Sequence, residues 1–255
     1  MAWVQQQLRL TDSTFRGAVF DLDGVIVDSH PLHKQAWRAF LTYLGKDVSE
    51  ADLGFIFEGR KRRDILIHFL GELSDSDIQL YGNKKDEFFR QASADLKPIR
   101  GSVEFIKNVR QAGLPMAVAT SASRQRAQWT LEQLELAECF GVVVSGDDVA
   151  LGKPNPSTYR IAAQRLSLRP KFLLAVEDSV SGVRSAISAG LRCIAIAPVE
   201  NASPLIEAGA DRVVPTLMNL SIQDLEEMFS SARHDGRHLK SQHVTSVPVA
   251  PSNGR

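Results

Sequence analysis

Six short apolar runs constrain this chain more than any other feature: Arg16 to Phe20 (RGAVF), Leu114 to Ala119 (LPMAVA), Gly141 to Val144 (GVVV), Phe172 to Val176 (FLLAV), Arg192 to Ala197 (RCIAIA) and Arg212 to Val214 (RVV). A short apolar run closed by turn-forming residues reads as a buried strand. Segments with helical spacing lie between several of them, at 102–112, 124–136, 156–166 and 180–189. Strands alternating with helices predict an α/β fold, a Rossmann-like parallel sheet covered by helices on both faces.

The stretch 31–97 breaks this rhythm. It holds helix-like pieces at 32–44, 61–71 and 76–92 and no buried strand, which predicts an all-helical insert after the first strand. Trp37, Phe40 and Leu44 are spaced three and four apart, as a helix face packed inside that insert requires. The predicted organisation is an N-terminal arm over 1–14, an α/β core over 15–30 and 98–230, a helical cap over 31–97 and a disordered tail over 231–255. The tail carries His234, His238 and His243, but without a scaffold to orient them as metal ligands.

Charge narrows the partners. Thirty Lys and Arg balance thirty Asp and Glu, so no overall field steers the chain to nucleic acid or an anionic membrane. No apolar run is long enough for a membrane span. The N-terminal MAWVQQQLRL does not read as a signal peptide. Cys139 and Cys193 fit neither a disulfide framework nor a zinc site. The expected location is the cytoplasm. The expected partner is a small phosphorylated metabolite, and the expected state is a monomer, with a homodimer as the alternative.

Four groups of residues carry the candidate chemistry. Asp21-Leu22-Asp23-Gly24 places two carboxylates just past the first strand, outside the carboxyl end of the sheet where ligands bind in such folds. Taken alone, the tetrapeptide reads equally well as a turn. Thr120-Ser121-Ala122-Ser123 offers hydroxyls and N–H groups at a helix start, suited to a phosphate oxygen or to a plain N-cap. Lys153 stands between turn residues in Gly152-Lys153-Pro154-Asn155-Pro156, and Pro154 excludes a P-loop there. Glu177-Asp178-Ser179 brings two more carboxylates to the end of the fourth run. Two acidic pairs, a hydroxyl turn and a lysine at four strand ends together point to a metal-assisted phosphate site, since a hard cation prefers carboxylate oxygens.

The ordered set FDLDGVIVDS, ATSAS, GKPNP and VEDS resembles the four motifs of the haloacid dehalogenase superfamily over about residues 15–220. It is most similar to the branch with a helical cap after the first motif, which includes β-phosphoglucomutase and many sugar-phosphate and phosphoglycolate phosphatases. The resemblance implies that Asp21 is the nucleophile, that Asp23 is the general acid/base, and that Lys153 steadies Asp21 and the phosphate. It places Ser121 on the transferring phosphoryl group, with Gly24 and Ala122 beside it. It assigns Mg²⁺ to Asp21, Asp23, Glu177 and Asp178. His33 resembles a cap histidine that assists the acid/base, and Arg62 a cap arginine that grips a distal phosphate, although Arg60 and Lys61 replace the small or apolar residues usual before it. Ser123 and Arg124 fall where the branch binds the non-transferring phosphate. Lys84 and Lys85 read as surface lysines, with a cap contact as the alternative. Asp23 favours phosphate over halide chemistry, because dehalogenases lack that second aspartate. The implied activity is a Mg²⁺-dependent phosphatase acting on a sugar phosphate through an aspartyl-phosphate. The alternative is a hexose phosphomutase of the β-phosphoglucomutase type.

Overall fold

The computed structural model describes residues 15–57, 62–94 and 96–230. The expected arm, Arg60 and Lys61, and the tail with its three histidines lie outside the described residues. Each apolar run contains one strand: β1 (Gly17–Phe20), β2 (Met116–Ala119), β3 (Val142–Val144), β4 (Leu173–Glu177), β5 (Arg192–Ile196) and β6 (Arg212–Val214). They form one parallel sheet in the order β3-β2-β1-β4-β5-β6. Four helices follow β1 directly: α1 (His30–Tyr43), α2 (Glu50–Gly54), α3 (Arg62–Leu70) and α4 (Asp75–Ala92). The remaining helices cover the sheet: α5 (Ser102–Gln111), α6 (Arg124–Gln133), α7 (Ser157–Arg165), α8 (Val180–Ala189), α9 (Ala202–Glu207) and α10 (Ile222–Ser230).

Strand side chains alternate between two apolar layers, as the period of two demands. Ala18, Phe20, Val118, Leu174, Val176 and Ile194 face α5, α6 and α10. Val19, Ala117, Ala119, Leu173, Ala175 and Cys193 face α7, α8 and α9. Phe20 is wholly buried, with ring contacts to Phe105 at 6.0 Å and Phe140 at 5.8 Å. Truncating such a side chain to Ala costs about 3–5 kcal/mol. Helices α2, α9 and α10 were not foreseen. In α10, Ile222, Leu225 and Phe229 follow the spacing of three and four that marks a helix packed on a core.

The inserted helices have their own apolar centre of Trp37, Phe40, Leu41, Leu53, Ile65 and Leu66. Leu44 packs against it, completing the expected face of α1. Ser49 and Ser74 close capping boxes with Asp52 and Asp77 at the starts of α2 and α4. The two connections to the core run side by side. Asp28 N–H donates to Lys97 C=O at 2.9 Å, and Ile99 N–H to Ile26 C=O at 3.0 Å. None of the described helices is long and apolar enough to cross a membrane.

Candidate active site

The strand order reverses between β1 and β4, and crevices form at such switch points outside the carboxyl ends of the strands. Asp21 leaves β1 there, its N–H donating to Val176 C=O at 2.9 Å, beside Glu177 at the end of β4. One cavity opens above these ends. It is lined by Asp21, Asp23, Ser121, Ala122, Ser123, Lys153 and Asp178 from the core, and by His33, Arg62, Lys85 and Asp86 from the inserted helices.

The floor of the cavity is acidic. Lys153 Nζ lies 2.9 Å from Asp21 Oδ1 and 2.5 Å from Glu177 Oε1. Asp21 Oδ1 is buried and meets Lys153 as an ion pair, with no well-formed hydrogen bond to that oxygen. Burial, reinforced by Glu177 and Asp23, outweighs Lys153 and pushes the Asp21 carboxyl up to about 7. Burial, with Glu177 and Asp21 beside it, also raises Asp178 well above the usual carboxylate range. Burial opposes the charge of Lys153, but Asp21 and Glu177 together overcome it and raise its pKa.

Asp21, Glu177 and Asp178 bring ligand atoms within 4.8 Å of one another. A buried oxygen without a well-formed hydrogen bond, an all-carboxylate donor set and two carboxyls held against ionisation are the environment a hard divalent cation relieves. The residues therefore fit such an ion. Two details differ from the expected ligand set. Glu177 is fully buried, and its oxygens already accept from Lys153, Tyr159, the Ser179 hydroxyl and the N–H groups of Asp178 and Ser179. It anchors Lys153 from below. The Asp23 carboxylate stands outside the acidic cluster because basic and hydroxyl partners hold it elsewhere.

Asp23 Oδ1 accepts from Ser29 Oγ at 2.6 Å, Arg126 Nη1 at 2.9 Å and His33 Nε2 at 3.2 Å, and Oδ2 accepts from Arg126 Nη2 at 2.6 Å. Burial alone would raise this carboxyl, but Arg126 and His33 reverse that and hold it well below the usual range. His33 Nδ1 lies 2.9 Å from Lys85 Nζ. Burial, with Lys85 nearby, lowers His33 to about 3, so the ring is neutral. Its partners fix the tautomer: Nδ1 accepts from Lys85 and Nε2–H donates to Asp23. Burial, with Arg126 as the next cause, lowers Lys85 to about 7.

Asp86 Oδ2 ties the inserted helices to the core, accepting from Arg62 Nη1 at 3.2 Å and from Ser123 Oγ at 2.9 Å. Gly82 makes room for Arg62, since a Cβ there would sit 2.5 Å from Nη1. On the rim, His30 Nε2 lies 3.4 Å from Asp178 Oδ2.

Several expected contacts are arranged differently. The Gly24 N–H is spent on Val27 C=O at 2.9 Å, not on a ligand. Gly24 instead gives Asp178 its space: φ is +76°, and a Cβ would lie 1.9 Å from Asp178 Oδ2. The Ala122 N–H donates to Thr120 Oγ1 at 3.0 Å. Ser123 is the N-cap of α6, and its Oγ accepts from Arg126 N–H at 3.3 Å. Arg124 is absent from the cavity wall. Its N–H donates to Asp147, and Nη2 reaches both Asp148 oxygens at 2.5 and 2.6 Å, bracing the loop after β3. Lys84 is on the surface as read, but Lys85 is only 3 % exposed and faces the cavity.

The sequence reading missed Ser29, Asp86 and Arg126. Two of them carried a signal. On α6, Arg126 shares a face with Ala127, Thr130 and Leu131; on α4, Lys85 and Asp86 share one with Gly82 and Phe89. A charge on an otherwise buried helix face needs a partner, and both faces supply one.

The family model described as haloacid dehalogenase-like hydrolase matches residues 15–190. The chain is 35% identical over 204 residues to a phosphorylated carbohydrates phosphatase of Thermotoga maritima, covering 77% of this chain and 92% of that protein. It is 32% identical over 183 residues to hexitol phosphatase A of Escherichia coli, covering 71% and 82%. Among solved structures it is similar to CbbY from Rhodobacter sphaeroides in complex with phosphate, with a TM-score of 0.74 and 27% identity, covering 83% of this chain and 99% of that one.

Proposed function

Because the chain belongs to the haloacid dehalogenase-like hydrolase family, we propose that it hydrolyses phosphate monoesters of small carbohydrates, with Mg²⁺ as cofactor and a phosphoenzyme on Asp21. The observation that carries this reading is the pairing of Asp21 with Lys153 in a cavity that Asp178 shares from below and Asp23 from the side. The relatives named for phosphorylated carbohydrates and for hexitol support the substrate class.

Each side chain has a task. An Asp21 oxygen attacks phosphorus, and the bond to the ester oxygen breaks. Asp23 is ionised until substrate enters; the negative charge of an entering phosphate raises its proton affinity, and the proton it then takes up is delivered to the departing alkoxide. Asp23 then takes one from the water that attacks the phosphoenzyme, releasing inorganic phosphate and restoring Asp21. Lys153 neutralises Asp21 and the phosphoryl oxygens, and Ser121 and Ala122 bound the space the phosphoryl group enters. Asp21 and Asp178, backed by Glu177, would hold Mg²⁺, which would supply charge neutralisation to the transferring group. His33, Arg62, Lys85 and Asp86 face the carbohydrate. The inserted helices act as the cap, excluding bulk water from the strand ends.

The test uses purified protein with Mg²⁺, β-glucose 1-phosphate and a trace of glucose 1,6-bisphosphate, followed by a panel of hexose and hexitol phosphates. Free phosphate as the main product supports the proposal. Glucose 6-phosphate without free phosphate identifies a mutase instead, because a second sugar hydroxyl has then replaced water. Neither product across the panel removes carbohydrate phosphates as the substrate class.

A further inference from the structure

Arg126 is the one cavity-lining guanidinium that reaches the proton-transferring carboxylate at both oxygens. It is the third residue of α6 and 6 % exposed, with its guanidinium carbon 5.1 Å from the centre of the Phe89 ring. The head group is thus clamped between a core helix and α4. Its two Nη atoms donate one to each oxygen of Asp23, the fork geometry that fixes a carboxylate plane. The other donors do not duplicate this. Ser29 and His33 both bond Oδ1, while Oδ2 accepts from Arg126 alone among the described residues. Without Arg126 the carboxylate would be held at a single oxygen and free to pivot about it. Oδ1 already accepts three hydrogen bonds, so Oδ2 is the oxygen with spare capacity for a moving proton.

We propose that Arg126 is a positioning residue, which aims Asp23 Oδ2 for proton transfer to the leaving group. The inference rests on the phosphatase reading above. It also gives α6 a second purpose, since the same helix start carries Ser123, the hydroxyl that meets Asp86 from the cap.

Leaving-group chemistry tests the proposal. A p-nitrophenolate departs without a proton, whereas the more basic phenolate gains from one. The readout is kcat/KM for p-nitrophenyl phosphate and for phenyl phosphate with Mg²⁺, because this ratio reports the steps through cleavage of the ester bond. Arg126→Gln is expected to lose about 10- to 100-fold more on phenyl phosphate than on p-nitrophenyl phosphate. Retained hydrolysis of the latter shows that the variant is folded. Arg126→Lys keeps the charge but not the fork, and is expected to recover only part of the loss.

Equal losses on both esters would overturn the proposal, as they mark a binding or purely structural role. So would full recovery by Lys, or faster turnover of phenyl phosphate in Arg126→Gln. Should Arg126→Gln not fold, Arg126→Lys decides alone: a selective loss on phenyl phosphate supports the proposal, and an unselective one overturns it. Asp23→Asn separates this failure from that of the underlying reading. If Asp23→Asn shows no leaving-group selectivity, or the unmodified protein hydrolyses neither ester, the acid role of Asp23 falls and the role of Arg126 with it.

Discussion

The floor and the cap-side wall of the cavity solve opposite electrostatic problems. On the floor, Asp21, Glu177 and Asp178 surround the single ammonium of Lys153, so negative charge is left over. In the wall, each guanidinium has its carboxylate, Arg62 with Asp86 and Arg126 with Asp23, while Lys85 meets the neutral ring of His33. The floor calls for an added cation. The wall already has a carboxylate for each guanidinium, so the anionic substrate proposed above would find donors there that must exchange partners. Under the proposed function, the contrast assigns metal binding to the core and substrate selection to the cap.

The sharpest way to break this picture is Asp21→Asn. It removes the nucleophile while keeping the shape, so turnover should fall by about 10⁴-fold or more with unchanged circular dichroism. Substantial phosphate release by that variant would end the covalent reading. Next comes Lys153→Met, which leaves the buried floor without any compensating cation. Removing one partner of a buried ion pair costs about 3–5 kcal/mol, so urea unfolding should show a loss of that size. A near-neutral change would mean that the floor is not held by its lysine.

Added Mg²⁺ gives a smaller effect on stability. At about a hundred times its dissociation constant, an ion bound only by the folded chain stabilises it by about 2.7 kcal/mol. A rise in melting temperature is expected with Mg²⁺, absent in Asp178→Asn. An equal rise in both proteins would place the ion elsewhere.

The smallest effect concerns the wall and acid. His33 is lowered from 6.5 to about 3 in the folded chain, so the unfolded chain takes up the proton first as pH falls. Its contribution is therefore complete above pH 6.5 and declines from there toward about pH 3. The floor runs the other way: Asp21 is raised from 3.8 to about 7, so its contribution is lost as pH rises through that window. Comparing the native chain with His33→Gln isolates the wall. Near pH 5 the native chain should have lost about 2 kcal/mol more than the variant, relative to pH 7. Parallel pH profiles would show that His33 is not held neutral.

Much of this molecule was legible before any coordinates. The six strands, the helical insert and the floor carboxylates follow from short apolar runs, the break in their rhythm and the acidic residues directly after two of them. Strand order, by contrast, was not readable, because register between β1 and β4 joins segments about 150 residues apart. The treatment of Lys85 as a surface residue failed for a related reason. A lysine beside an aspartate on a helix looks solvated until His33, from another helix, takes its ammonium. Arg124 shows the converse. The resemblance placed it with Ser123 on the non-transferring phosphate, but one residue of helical rotation is about 100°, which carries Arg124 away from Ser123 to Asp148 and leaves Arg126 facing the cavity.

The sequence by itself determined the carboxylates of the floor, because Asp21, Glu177 and Asp178 each sit at or one residue past a strand end, and backbone continuity delivers them to the same edge of the sheet. Only the tertiary structure decided the wall and the hold on Asp23. Those contacts bring α1, α3, α4 and α6 together, and which charge meets which depends on the angle at which those helices pack, a quantity that no local pattern encodes.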